Sequence, residues 1–275
     1  MNHNELLYER ESYMSSTKNT IGGHMVGECD YSKITPRVNV DKNLDLEPFV
    51  LENVDIHVGQ FEARMDDALQ VLPPSLQPTI PASISIAFYR SRESAFGPYQ
   101  WLSIGVGCRC GVKPHNLMLR NYCTNTDLAK HLSTYYGFEF TSADQIRVDK
   151  GYHAVESSLV VEGKTQMRMK SVKHMMLPGA SAILKYPSPL HHVVYDGNQG
   201  LLRLDMGYEF QASSRGTLSL GDCDDEFFPG IGISPTHAIS ATYSEKVTVG
   251  IIQPRYLLDV EKLPSEGGIQ KVHEL

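Results

Sequence analysis

Asp55 and His57 stand two positions apart in the alternating segment from Val54 to Phe61, which puts both on one face of an extended strand. A carboxylate beside an imidazole is an acid–base pair suited to neutral pH. The same spacing equally describes the exposed polar face of an edge strand. Arg90 closes a second alternating segment, on the face it shares with Ile84, Ile86 and Phe88. Its guanidinium can hold a carboxylate or enolate oxygen through paired N–H donors, or it can sit at a solvated strand end beside Arg92 and Glu93. His191 and His192 adjoin a Pro-rich turn, and alternation in an extended chain keeps neighbours from chelating one metal. Asp222, Asp224, Asp225 and Glu226 lack the regular EF-hand spacing and read as a solvated acidic loop. Cys108 and Cys110 share a strand face and read as packing residues. Gly-rich phosphate loops and a GxSxG elbow are absent.

The composition narrows the classes of chemistry. Across 275 residues, 25 Lys+Arg stand against 32 Asp+Glu, a formal charge of −7. That balance lacks the basic footprint of a nucleic-acid or polybasic membrane binder, so neither partner is expected. An anionic small molecule would have to be met by a few local cations. With 41% apolar and 21% charged residues the chain has the make-up of a folded globule. No apolar run approaches the roughly 18 residues of a membrane span, and Met1-Asn2-His3-Asn4-Glu5 carries no leader pattern. A cytoplasmic location is therefore expected. The five cysteines show no CxxC spacing, which indicates neither a zinc knuckle nor a disulfide scaffold, and no metal or cofactor is expected.

The elements that must position these groups are mostly strands. Residues 1–45 are polar and aperiodic and read as an irregular N-terminal arm; residues 46–275 read as one β-rich α+β domain. Met65 to Leu72 is a short amphipathic helix stopped by Pro73-Pro74. Strands follow at Ser83–Arg90 and Trp101–Cys110, with Leu102, Ile104 and Val106 on one side of the latter. Asn125 or Thr126 caps a helix through Leu128, Leu132 and Tyr135 that ends at Gly137. Turns at Asp149-Lys150-Gly151 and Glu162-Gly163-Lys164 join hairpins, and further strands lie at 201–211 and 246–253.

Asp66-Asp67-Ala68-Leu69-Gln70-Val71-Leu72-Pro73-Pro74-Ser75-Leu76 resembles the "ALxxLLPxPL" segment of acetoacetate decarboxylases and their relatives. Gly97-Pro98-Tyr99-Gln100-Trp101 resembles their "GPYxE". The helix Asn125–Tyr136 followed by Gly137-Phe138-Glu139-Phe140-Thr141 resembles their "GRExWGFPKK". Lys164–Lys170 and Ile251-Ile252-Gln253-Pro254-Arg255 fit in the same order, so the resemblance covers about residues 50–260. It implies a mostly antiparallel β-barrel or cone with short flanking helices, a pocket inside it and a tendency to form homo-oligomers. It also implies Schiff-base chemistry, in which a lysine whose pKa is lowered attacks a keto acid.

This chain departs from that chemistry at three positions. The paired lysines fall on Phe140 and Thr141, the "GPYxE" glutamate on Trp101, and a further glutamate on Ile86. A phenylalanine cannot form an imine. Ile86, Trp101 and Phe140 together are expected to give an apolar pocket floor suited to a bulky, weakly charged keto or enol ligand, polyketide-like, terpenoid or aromatic. Arg90 faces the pocket if Ile86 does. Glu139, at the family's proline position, is a candidate proton shuttle or an outward-facing turn residue. Tyr99 keeps the family tyrosine, as hydrogen-bond donor or packed ring, and of Tyr135 and Tyr136 one faces the pocket; Tyr136 is the candidate. The expected activity is lysine-free acid–base chemistry in specialised metabolism: isomerisation, cyclisation, dehydration or decarboxylation. A non-catalytic small-molecule binder on the same fold is the first alternative. A decarboxylase using a displaced lysine, such as Lys113 or Lys170, is the second.

Overall fold

Alternation carries the sheet. The segment around Val54 lies inside strand β3 (Phe49–Ala63), preceded by a small pairing of β1 (Thr20–Ile21) with β2 (His24–Met25). The structure is a computed structural model that describes residues 20–21, 24–30, 38–40, 49–110, 113–258, 260 and 269–271. Most of the expected arm at residues 1–45 lies outside the described residues.

Helix α1 (Met65–Val71) opens with Asp66 and Asp67 in its first turn and buries Ala68 and Leu69. It stops at Leu72, which is extended because the residue before a proline disfavours the helical region. After the short β4 (Gln77–Pro78) come β5 (Ser83–Ser91), β6 (Tyr99–Cys110) and β7 (Lys113–Cys123), a meander in which each strand pairs antiparallel with the next. Helix α2 (Thr126–Tyr136) begins at Asn125, whose side-chain oxygen accepts from Leu128 N at 2.9 Å. It ends at Gly137, with φ of 73°, where an added Cβ would lie 2.5 Å from Val193 Cγ1. Glycine is required there for both reasons.

The chain then forms β8 (Phe140–Ser142), β9 (Gln145–Lys150), β10 (Ala154–Val161) and β11 (Lys164–Met176), a one-turn helix α3 (Ala180–Ile183), β12 (Ser188–Tyr195), β13 (Asn198–Glu209), β14 (Ala212–Cys223), the long β15 (Pro235–Leu258) and β16 (Ile269–Lys271). β15 pairs with β14 over its first half and with β13 over its second, and β3 runs beside both halves. That change of partner closes β3, β5, β6, β7, β12, β13 and β15 into a barrel. β14, β11, β10 and β9 continue from the shared strand as a wing that folds back until β9 touches β5 and β6.

β5 and β6 are therefore covered on both faces. Ile84, Ile86, Phe88, Leu102, Ile104 and Val106 pack against Val148, Leu159, Met167 and Met169 of the wing. Their opposite faces belong to the barrel core with Val54, Ile56, Val58, Leu202, Leu204 and Val249, onto which α2 packs Leu128, Leu132 and Tyr136. Among the described residues, no helix is long and apolar enough to cross a membrane.

Candidate functional site

Two strand faces build the site. In the β5–β6 register Tyr89 lies opposite Trp101, Ala87 opposite Ser103 and Ser85 opposite Gly105, all pointing into the barrel. With Val58, Asn116, Met118, Phe138, Met206 and the tyrosines Tyr186 and Tyr208 they enclose a pocket of about 460 Å³ counted out to its mouth. Only about 30 Å³ of it admits the centres of water-sized atoms, room for about two waters. Among the described residues, neither lysine, arginine, aspartate nor glutamate lines it.

Trp101 is the hub. Its ring stacks on Tyr89 at 4.5 Å and meets Phe138 at 4.9 Å and Phe140 at 5.6 Å edge-on. Each such pair contributes about 0.5–1.5 kcal/mol beyond its buried area. Trp101 Nε1 donates to Ser103 Oγ at 2.6 Å, Ser103 donates to Asn121 Oδ1 at 2.6 Å, and Asn121 Nδ2 donates to the Glu139 carbonyl at 3.2 Å. The chain ties the tryptophan to the segment leading into β8, so ring position and loop position are set together.

The polar residues of the pocket are Ser85, Ser103, Asn116 and the tyrosines Tyr89, Tyr186 and Tyr208. Burial pushes the Tyr89, Tyr186 and Tyr208 phenols upward, which keeps them protonated and able to donate. The Tyr89 and Tyr208 hydroxyls bond to each other, Tyr208 also reaches Met206 Sδ at 3.7 Å, and Tyr186 meets Thr242 Oγ1 at 3.0 Å. Donors enclosed among apolar walls suit a carbonyl or enol oxygen. Tyr186, Met206 and Tyr208 escaped the sequence reading, although the spacing of Met206, Tyr208 and Phe210 is itself a two-residue period.

The sequence-derived residues do not meet at one point. Ile86 lies opposite Ile104, so it faces the wing core, across the sheet from Trp101. The expected floor of Ile86, Trp101 and Phe140 is thus split by strand alternation. Arg90 does share the Ile86 face, and there it pairs with Asp55 at 2.6 Å and donates to Val148 O of β9, pinning the wing to the barrel. His57 is wholly buried on the same face, 2.8 Å from both Ser157 Oγ and Ser171 Oγ. Ser171 continues to His174 at 2.8 Å, His174 to Ser214 at 2.9 Å, and Ser214 donates to Tyr243 O at 3.4 Å. A neutral imidazole donates from one ring nitrogen and accepts at the other, so His57 satisfies both serine hydroxyls at once. Burial, and secondarily His174, push His57 down to about 3, so it is neutral at pH 7.

Glu139 and Phe140 lie half-buried on the far side of Trp101, Phe140 stacked on Phe138 at 5.6 Å. Tyr99 and Tyr136 are buried in the barrel core without lining the pocket. Of the lysines considered, Lys170 pairs with Glu156 at 2.6 Å on the wing, and Lys113 is exposed at the start of β7. In the acidic loop, Asp224 pairs with Lys164 and accepts from Glu226 N at 3.0 Å. Among the described residues no cluster of His, Cys, Asp or Glu could hold a metal.

No family model matches the sequence, and no curated protein matches it. The fold has clear counterparts. An acetoacetate decarboxylase from Legionella pneumophila superposes with a TM-score of 0.66 at 14% identity, over 84% of this chain and 94% of that one. The enduracididine biosynthesis enzyme MppR, in complex with the condensation product of pyruvate and imidazole 4-carboxaldehyde, gives 0.61 at 15%, over 86% and 98%. An acetoacetate decarboxylase-like enzyme from Sphingomonas wittichii gives 0.54 at 12%, over 89% and 98%.

The chain has the acetoacetate decarboxylase-like fold.

The expected α+β class, barrel and interior pocket follow from that fold. Within that barrel, Trp101, Tyr89 and Phe138 line the interior pocket.

Proposed function

We propose that this protein is an acetoacetate decarboxylase-like enzyme that binds a hydrophobic keto or enol compound in its barrel pocket and moves a proton on it without forming an imine. One observation carries the reading: among the described residues the pocket is lined by Tyr89, Trp101, Phe138, Tyr186 and Tyr208 and by no charged side chain. An apolar wall takes the carbon skeleton, and the Tyr89–Tyr208 pair takes the oxygen. Hydrogen bonds to that oxygen strengthen as it gains enolate charge, which is the condition for catalysis rather than mere binding. The small free volume means that a ligand enters as flexible side chains yield, and Met118 and Met206 are the adaptable ones. The reactions open to such a site are isomerisation, cyclisation, dehydration and lysine-free decarboxylation, in a biosynthetic setting.

Trp101 is the chain's only tryptophan, so its emission reports the pocket directly. Titration with phenylacetone and larger aryl ketones is expected to quench or shift that emission saturably. Intact mass after borohydride treatment is expected to be unchanged. A reduced adduct on a lysine would replace this reading with displaced-lysine chemistry.

The same pocket supports a second reading, a non-catalytic binder, because a nearly filled cavity grips a ligand as readily as it transforms one. Saturable binding with no exchange, isomerisation or decarboxylation of any ligand selects it.

A further inference from the structure

A proton-transfer site needs a base, and among the described residues the pocket lining holds neither a carboxylate, an amine nor an imidazole. β12 and β7 pair in parallel only at Ser188↔His115, Pro189↔Asn116 and Leu190↔Leu117. Beyond Leu190 they part, and β7 takes β8 as its partner from Asn121 onward. The gap leaves a small cavity in the barrel wall, with room for about three waters. Met118 lines both this cavity and the main pocket.

His191 lines this second cavity and packs on Phe138, which lines the main pocket. Strand alternation turns it inward with Pro189 and Val193, its ring sits 4.0 Å from that of Phe138, and it is 2% exposed. Its Nε2 is enclosed and has no hydrogen-bond partner. A buried polar atom left unmatched is destabilising, an expense that an interior site would account for. The charged and titratable groups around the same cavity are Arg120, Glu139 and His192. Burial holds His191 down to about 3, so the imidazole is a neutral acceptor at pH 7.

We infer that His191 is the base of the interior site, taking a proton from the carbon next to the ligand's carbonyl and exchanging it with water through the opening between β7 and β12. This rests on the functional reading above. In the step, the C–H bond breaks, its proton goes to Nε2, and its electron pair becomes the C=C of an enolate held by the tyrosine hydroxyls. Return of a proton from Nε2 to the same or another carbon regenerates the base and completes an exchange or an isomerisation. A bound ligand displaces the flexible Met118 side chain to reach Nε2.

The test is deuterium incorporation into phenylacetone in D2O, followed by proton NMR, with Trp101 emission as the measure of binding. For wild type, exchange is expected to accelerate over buffer and to fall at low pH as His191 takes its proton. In His191→Gln, binding should remain within threefold while exchange drops about 10²–10⁴-fold and loses that acid limb. In His191→Ala, added imidazole should enter by the wall opening and restore part of the rate, which a purely structural histidine would not allow. Binding and exchange retained in folded His191→Gln would overturn the assignment and leave the functional reading standing. Wild type that neither binds nor exchanges the ketone would remove both. Should His191→Gln not fold, the imidazole dependence of His191→Ala and the wild-type pH profile decide: rescue supports the assignment, and a pH-independent rate overturns it.

Discussion

The Tyr89 ring lies on the Trp101 ring with centroids 4.5 Å apart and planes 24° apart, and the two sit opposite each other in the β5–β6 register. Cross-strand stacking of this kind fixes the pocket's back wall to the sheet rather than to a loop. Trp101→Phe keeps a ring and leaves Ser103 bonded to Asn121, so the expected loss is about 1–2 kcal/mol in urea unfolding. Trp101→Ala opens a cavity and is expected to cost about 3–5 kcal/mol. A neutral Trp101→Ala would mean that the aromatic cluster is not packed as described.

Ile86 stands one sheet face away from that wall. Ile86→Val is expected to lower stability by about 0.5–1.5 kcal/mol while leaving ketone binding and Trp101 emission unchanged. A change of tenfold or more in ketone affinity would place Ile86 in the site after all.

Arg90 holds Asp55 with one arm of its guanidinium and Val148 O with the other. Arg90→Ala is expected to cost about 2 kcal/mol, with ligand binding intact. Arg90→Lys should recover little of this, since an ammonium does not reproduce the two-armed geometry. Chemical denaturation of the three proteins, with Trp101 titrations alongside, checks both halves.

Four histidines make the fold acid-sensitive. Burial holds His57 and His191 at about 3 and His192 at about 4; burial and then Arg203 hold His115 at about 4. An unfolded histidine takes its proton near 6.5. Between about 6.5 and 3 the unfolded chain therefore binds more protons than the folded one, and stability falls as the pH falls. Each histidine contributes a slope approaching about 1.4 kcal/mol per pH unit between about 6.5 and its own folded value, and nothing above about 6.5. Urea midpoints at pH 7.5 and pH 5 are expected to differ clearly, and His57→Gln should make the slope shallower. Equal midpoints would contradict the buried neutral histidines.

Much of the fold was legible in the chain. Alternation gave the strands at Val54, Ser83 and Trp101, and Asn125 and Gly137 bounded the second helix, because these are local preferences of backbone and side chain. The site was less legible. Equating Ile86 and Trp101 as one floor ignored which faces antiparallel pairing would bring together, a relation set by register across a loop. Asp55 and His57 do share a face, but the wing that covers it comes from residues a hundred positions away; its Ser157 and Ser171 satisfy His57 there, while Asp55 is held by Arg90. In the sequence, His191 and His192 stand beside a Pro-rich turn and raise only the question of a metal pair; the burial of His191 against Phe138 depends on the pairing of β12, which its local sequence does not carry.

The central claim is proton transfer on a hydrophobic ketone inside the barrel without a covalent step. Its most direct measurement is the rate of deuterium incorporation at the α-carbon of phenylacetone in D2O, for wild-type protein with and without prior borohydride treatment in the presence of ketone. The account predicts a rate above buffer that borohydride does not change. A rate equal to buffer, or one abolished by borohydride, would contradict it.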